Sequence, residues 1–187
     1  MAPWFVLWTS WNAHADGPSI RFEKEKIKLC VQNGFCVLTG DYYFTNDSPD
    51  TAVSSMYYPV ASGADLPFPR SFKVFDLYTG KNVDFRKAGK GIFFKISIPP
   101  LQTRTFRVVY EQATASNRFE YVLTSTASWG RPIETSDFLL VLGKGHRLCG
   151  SSLPFVQTAG DGKQSVYSLH RDRFSPTRNL ELQWGDR

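Results

Sequence analysis

Apolar and polar residues alternate along much of this chain with the two-residue period of a half-buried strand. In Gly91–Ile98 the apolar positions are Ile92, Phe94, Ile96 and Ile98. In Arg104–Gln112 they are Phe106, Val108 and Tyr110, and in Phe119–Ser125 they are Phe119, Tyr121 and Leu123. Near the C-terminus Leu180, Leu182 and Trp184 alternate with Asn179, Glu181 and Gln183. Ser71–Gly80 carries apolar residues in both phases, Phe72, Val74 and Tyr78 against Phe75 and Leu77, so this strand is expected to be covered on both faces or crowded at one end. No stretch of twelve or more residues shows the helical period.

Turn-forming residues separate these runs. Asn33-Gly34 reads as a two-residue hairpin turn, Asn46–Asp50 as a polar loop and Thr79–Asn82 as a tight turn. Ala88–Gly91, Pro99-Pro100 and Ala159–Gly162 close further gaps. Roughly ten to twelve strands about ten residues apart predict an all-β fold, an antiparallel two-sheet β-sandwich. Residues 143–162, rich in Gly and Ser, predict a long irregular loop before a last pair of strands near 165–171 and 178–184.

Composition agrees. Of 187 residues, 42% are apolar and 15% aromatic, a balance that excludes a disordered chain and favours pleated, half-buried surfaces. The net charge of +5 is spread along the chain without a basic run, so nucleic acid is not an expected partner. Lys144, Arg147, Arg171, Arg173 and Arg178 would serve an anionic surface only if the fold gathered them on one face.

The N-terminus changes the compartment. Residues 3–11 are apolar, uncharged and rich in Trp, and Ala13-His14-Ala15 gives the small-x-small pattern of a signal-peptidase site. Residues 1–15 are therefore expected to be a signal peptide, although no Lys or Arg precedes the apolar run. Residues 16–187 are expected to form a single domain, secreted or periplasmic and without a transmembrane segment. In that compartment Cys30 and Cys36, flanking the Asn33-Gly34 turn, are a candidate disulfide. A two-residue turn would set Cys36 opposite Val31 rather than Cys30, so the bridge requires a longer loop or a bulge.

Candidate chemistry is sparse. Cys30, Cys36, Cys149 and His146 match no zinc template, and His14, His146 and His170 stand beside no nucleophile signature. The carboxylates Asp41, Asp76, Asp84, Glu111, Glu120, Glu134 and Asp137 read as solvent-facing strand positions. Gly89-Lys90-Gly91 and Gly143-Lys144-Gly145 lack the spacing of a phosphate loop. Asn46–Asp50 lacks the ladder of a calcium loop, and its Asn46-Asp47-Ser48 sequon is followed by Pro49. Tyr42, Tyr43, Tyr57, Tyr58 and Trp129 lie beside turns or strand ends, where aromatic rings stack on a sugar, anchor a protein or fill the corners of a core. No catalytic residue, metal or cofactor is expected.

Several segments in order carry a resemblance: Tyr43–Asn46, Met56–Pro59, Phe75–Lys81, Tyr110–Gln112, Phe119–Thr126, Trp129 and Arg173–Trp184. Over residues 20–184 the chain resembles an uncharacterised exported bacterial β-sandwich family of the domain-of-unknown-function kind. More distantly, its first half resembles the vault/inter-alpha-trypsin β-sandwich domain. The resemblance implies a fold and export but no catalytic residue. The expected function is a non-enzymatic extracytoplasmic binding or scaffold domain with a protein or carbohydrate ligand. The alternative is a carbohydrate-binding module or weakly marked carbohydrate-active hydrolase.

Overall fold

A computed structural model describes residues 20–160 and 163–186. Its strands are β1 (Ile20–Gln32), β2 (Phe35–Asn46), β3 (Ala52–Pro59), β4 (Ser71–Asp76), β5 (Lys81–Asn82), β6 (Phe85–Ala88) and β7 (Gly91–Ile98), then β8 (Thr103–Ala113), β9 (Arg118–Tyr121), β10 (Ile133–Leu142), β11 (His146–Ser151), β12 (Val156–Gly160), β13 (Ser165–Phe174) and β14 (Leu180–Asp186). One 3₁₀ turn, Thr124–Trp129, lies between β9 and β10. The expected leader, residues 1–15, lies outside the described residues.

The all-β expectation holds, but the sheet plan differs from a two-sheet antiparallel sandwich. The described strands form three hydrogen-bonded sheets: an eight-stranded sheet in the order β12-β13-β10-β1-β2-β8-β4-β5, and two three-stranded sheets, β11-β14-β9 and β3-β7-β6. Fourteen strands exceed the expected ten to twelve because short pieces such as β5 and β6 are too brief to show a period. β1 pairs with β10 in parallel, Lys24 opposite Thr135 and Val31 opposite Leu142. Local alternation carries no information about a partner's direction, so this pairing is invisible in the pattern. The segment expected to be irregular contains β11 and β12, whose exposed or half-exposed residues leave no clean apolar phase.

The hairpin between β1 and β2 turns as expected. Asn33 and Gly34 both have positive φ, 53° and 75°, and Gln32 pairs with Phe35. Val31 therefore faces Cys36, and Cys30 faces Val37. Cys36 is buried in the core while Cys30 is half-buried in the opposite phase, and both thiols are free. The candidate disulfide is thus not formed, because the regular ladder sends the two side chains to opposite faces.

One hydrophobic cluster takes residues from all three sheets: Leu29, Leu38, Val108 and Leu140 from the large one, Ile92, Ile96 and Ile98 from β7, and Leu180, Leu182 and Trp184 from β14. The core is aromatic where the sheets meet. Phe22 and Phe44 pack at 5.2 Å between ring centres, and Trp129 from the 3₁₀ turn sits 5.8 and 5.6 Å from them. No helix among the described residues is long and apolar enough to cross a membrane.

Candidate functional site

The junction of the three sheets is built on a register slip in β1. Phe22 pairs with Phe44 and Lys24 with Tyr43, so Glu23 is an extra residue in the ladder. Before the slip the inward positions are Ile20 and Phe22; after it they are Glu25, Ile27, Leu29 and Val31. A bulge re-aims the side chains beyond it. Here it turns a carboxylate into the core, where Glu25 is 1% exposed. On the inward face Glu25 has Tyr42 of β2 on one side and Ser136 of β10 on the other.

A chain of hydroxyls leads from this carboxylate through each sheet. Tyr121 on β9 donates to Glu25 Oε2 at 3.2 Å. Tyr42 on β2 lies 3.0 Å from the Tyr121 hydroxyl, and Tyr58 on β3 lies 2.8 Å from that of Tyr42. Each phenol has one proton. Because Tyr121 spends its proton on Glu25, it must accept from Tyr42, which in turn accepts from Tyr58. The chain therefore runs Tyr58 to Tyr42 to Tyr121 to Glu25. Gly40 gives Tyr42 its seat: an added Cβ there would collide with the Tyr42 hydroxyl.

Burial dominates the electrostatics. Desolvation pushes the Glu25 carboxyl up to about 7, against smaller opposing effects of the nearby Ser136 and Tyr121 hydroxyls. The Ser136 hydroxyl lies close enough to matter but outside hydrogen-bonding geometry. Burial likewise holds Tyr42, Tyr58 and Tyr121 well above the ordinary phenol range, so the chain carries neutral phenols. Glu25 Oε1 has no hydrogen-bond partner among the described residues.

These groups border a cavity of about 70 Å³ walled by Phe22, Phe44, Met56, Phe94 and Trp129. Tyr57, Pro59 and Val122 at its mouth also line a furrow of about 490 Å³ that runs past Leu66, Lys90 and Glu120. The furrow lies between β3 and β9, each an end strand of its sheet. Asn179 fixes the turn that carries Trp129. Its Oδ1 accepts from the backbone amides of Leu123 and Thr124, both at 3.1 Å, and from Thr124 Oγ1 at 3.0 Å. Its Nδ2 donates to Glu120 at 2.7 Å.

The residues singled out in the sequence divide. Tyr42 and Tyr58 are buried in the junction, Trp129 packs on its aromatic wall and Tyr57 is exposed at the mouth. Tyr43 points to the opposite face of the large sheet. Asp41 pairs with Arg107, Glu134 with Arg21, and Asp137 with His170, so these carboxylates serve the outer surface. Cys36 lies in the core while Cys149 is exposed on another sheet, and among the described residues no group of three or more His, Cys, Asp or Glu is placed to hold a metal ion. Asn46 is buried, its amide donating to the carbonyls of Asp50, Ile98 and Pro99, so the sequon is used to pin a loop. Of the basic residues, Arg147 lies on β11, and Arg171 and Arg173 on β13 of a different sheet. Arg178 lines an open groove beside Glu120 and Glu181, a surface of mixed sign. Glu25 was missed, and the signal was present: the phase of Val31, Leu29 and Ile27 extended by one step lands on it.

No protein-family model matches the chain, and no curated protein matches it. Solved structures do. A candidate nutrient-binding protein from Legionella pneumophila is similar with a TM-score of 0.73 at 17% identity, over 89% of this chain and 67% of that one. An M1 zinc metallopeptidase from Deinococcus radiodurans is similar with a TM-score of 0.51 at 8% identity, over 88% of this chain and 42% of that one. A mutant of that peptidase with a Tyr-Ser-Ala substrate bound gives 0.53 at 9% identity, over 89% and 42%. The chain thus spans less than half the length of the peptidase chains. At such identities the likeness is one of fold.

Proposed function

We propose that this chain is a non-enzymatic binding domain that works outside the cytoplasm and receives a small ligand where its three sheets meet. The observation that carries this reading is the junction cavity itself: an aromatic-walled space with one buried carboxylate at its floor and an open furrow at its mouth. Among the described residues it is lined by a single carboxylate and no histidine, which supports binding rather than acid–base hydrolysis. The fold shared with a candidate nutrient-binding protein supports the same direction. The leader-like residues 1–15 and the resemblance to exported bacterial proteins support the compartment.

A carbohydrate surface is the second reading, and it draws on a separate observation. Tyr57 is 45% exposed and lies 4.8 Å from the ring of Phe93, over which Arg86 stacks. Exposed rings of this kind stack on sugar faces.

The test is a panel of amino acids, amines, sugars and nucleosides screened by thermal shift against the wild-type chain and Val122→Trp. Val122 is half-buried and lines both the cavity and the furrow, so the larger ring blocks the entrance without entering the core. At least one compound class is expected to raise the wild-type Tm and to leave the variant's unmoved. A panel with no effect on the wild type, or an equal effect on both proteins, overturns the reading. Sugars that stabilise both proteins but not Tyr57→Ala would favour the outer surface instead.

A further inference from the structure

We propose that the junction cavity is a receptor for the head group of a small organic ammonium ion, which pairs with Glu25 between the aromatic walls while its body lies along the furrow between β3 and β9. The inference rests on the cavity being a ligand site and names the class of ligand.

The phenolic protons of Tyr58, Tyr42 and Tyr121 are used along the chain that ends on Glu25 Oε2. Thr126 at the rim donates to the Leu123 carbonyl. At the cavity floor Glu25 Oε1 is 1% exposed and without a partner among the described residues, and the Ser136 hydroxyl beside it, outside hydrogen-bonding geometry, is likewise unpartnered. Once ionised, this carboxylate is offset by a ligand that brings both a donor and a positive charge.

The walls make the same selection. Rings of Phe22, Tyr42, Phe44, Tyr58, Phe94 and Trp129 surround the space, and aromatic faces attract cations. Among the described residues that line the space there is no Lys, Arg or His to compete for the carboxylate. An anion would meet Glu25 and the ring faces unfavourably.

Size decides the rest. A volume of about 70 Å³ is roughly half of the 150 Å³ that holds benzene, so a sugar ring does not fit and an ammonium head with one or two carbons does. The remainder of the molecule must leave through the mouth at Tyr57, Pro59 and Val122, where the furrow of about 490 Å³ begins.

Binding should depend on pH. The groups facing Glu25 are the hydroxyls of Tyr42 on β2, Tyr121 on β9 and Ser136 on β10, with Tyr58 of β3 one hydroxyl further. On β13, opposite Ser136, Arg171 turns to the His170 carbonyl. The cation needs the ionised carboxylate, and Glu25 ionises near pH 7. Affinity should therefore rise by up to about tenfold per pH unit below 7 and level off above it.

The experiment is calorimetric titration of the full chain with n-butylammonium, 1-pentanol and pentanoate at pH 5.5, 7 and 8.5. n-Butylammonium is expected to bind at least tenfold more tightly than the other two at pH 8.5, and to weaken at least tenfold at pH 5.5. Glu25→Gln should lose at least tenfold, and Val122→Trp should abolish binding. Should Glu25→Gln fail to fold, the pH profile of the wild type decides alone. Preferential binding of pentanol or pentanoate, blocked by Val122→Trp, overturns the ammonium class and leaves the cavity as a ligand site. No binding by any probe, with the panel above also silent, overturns both. Binding of butylammonium that is indifferent to pH and to Val122→Trp places it elsewhere and overturns the proposal.

Discussion

Glu25 stores a pH dependence of stability whose direction follows from its burial. The carboxyl titrates near its ordinary 4.5 in the unfolded chain and near 7 in the folded one. Between those values the native state holds the extra proton, so the contribution of Glu25 to stability is greatest below about pH 4.5 and is lost as pH rises through 7. The span corresponds to on the order of 3 kcal/mol. Urea unfolding at pH 5 and pH 8 should show Glu25→Gln escaping this loss, gaining on the wild type by that order at pH 8. Equal pH slopes in the two proteins would mean that Glu25 is not desolvated. At this scale the sequence was only partly legible. The inward phase through Ile27, Leu29 and Val31 points to Glu25, but the slip at Glu23 that lets Phe22 share the same face leaves no mark in the residue pattern.

Among the elements, the 3₁₀ turn Thr124–Trp129 is held from a distance. It buries none of its residues fully and has no side-chain cap of its own. Its first amides are bonded instead by Asn179, which precedes β14. Asn179→Ala hands the exposed Thr124 amide to water and leaves the part-buried Leu123 amide without its partner, which should cost about 1 kcal/mol. Hydrogen exchange at Leu123 and Thr124 should accelerate at least tenfold while β7 stays protected; unchanged exchange would show that the turn stands without the asparagine. Other elements could be read directly. The alternation of Ile92, Phe94, Ile96 and Ile98 gives β7, and Asn33-Gly34 gives the β1–β2 hairpin, because both signals are local. The turn was read as a continuation of β9, since Leu123 keeps the phase of Phe119 and Tyr121 and remains buried after the strand has ended.

Across the whole molecule, the hydroxyl chain ties the three sheets at one point, and a single apolar cluster ties them elsewhere. Sheets that share a core should not melt apart. Far-UV and near-UV circular dichroism are therefore expected to give coincident urea transitions, and separated midpoints would show that one small sheet unfolds alone. The parallel pairing of β1 with β10 has a further consequence, in the time at which contacts become available. β1 lies inside the large sheet, but its two neighbours are synthesised far apart: β2 follows after a two-residue turn, and β10 more than a hundred residues later. At typical translation speeds of about 5–20 residues per second, the nascent β1–β2 hairpin waits roughly 5–20 seconds with one edge unpaired. During that interval the row of amides and carbonyls destined for β10 is open to any other extended chain, so the ribosome-bound protein has its greatest need of a chaperone long before its last strand appears.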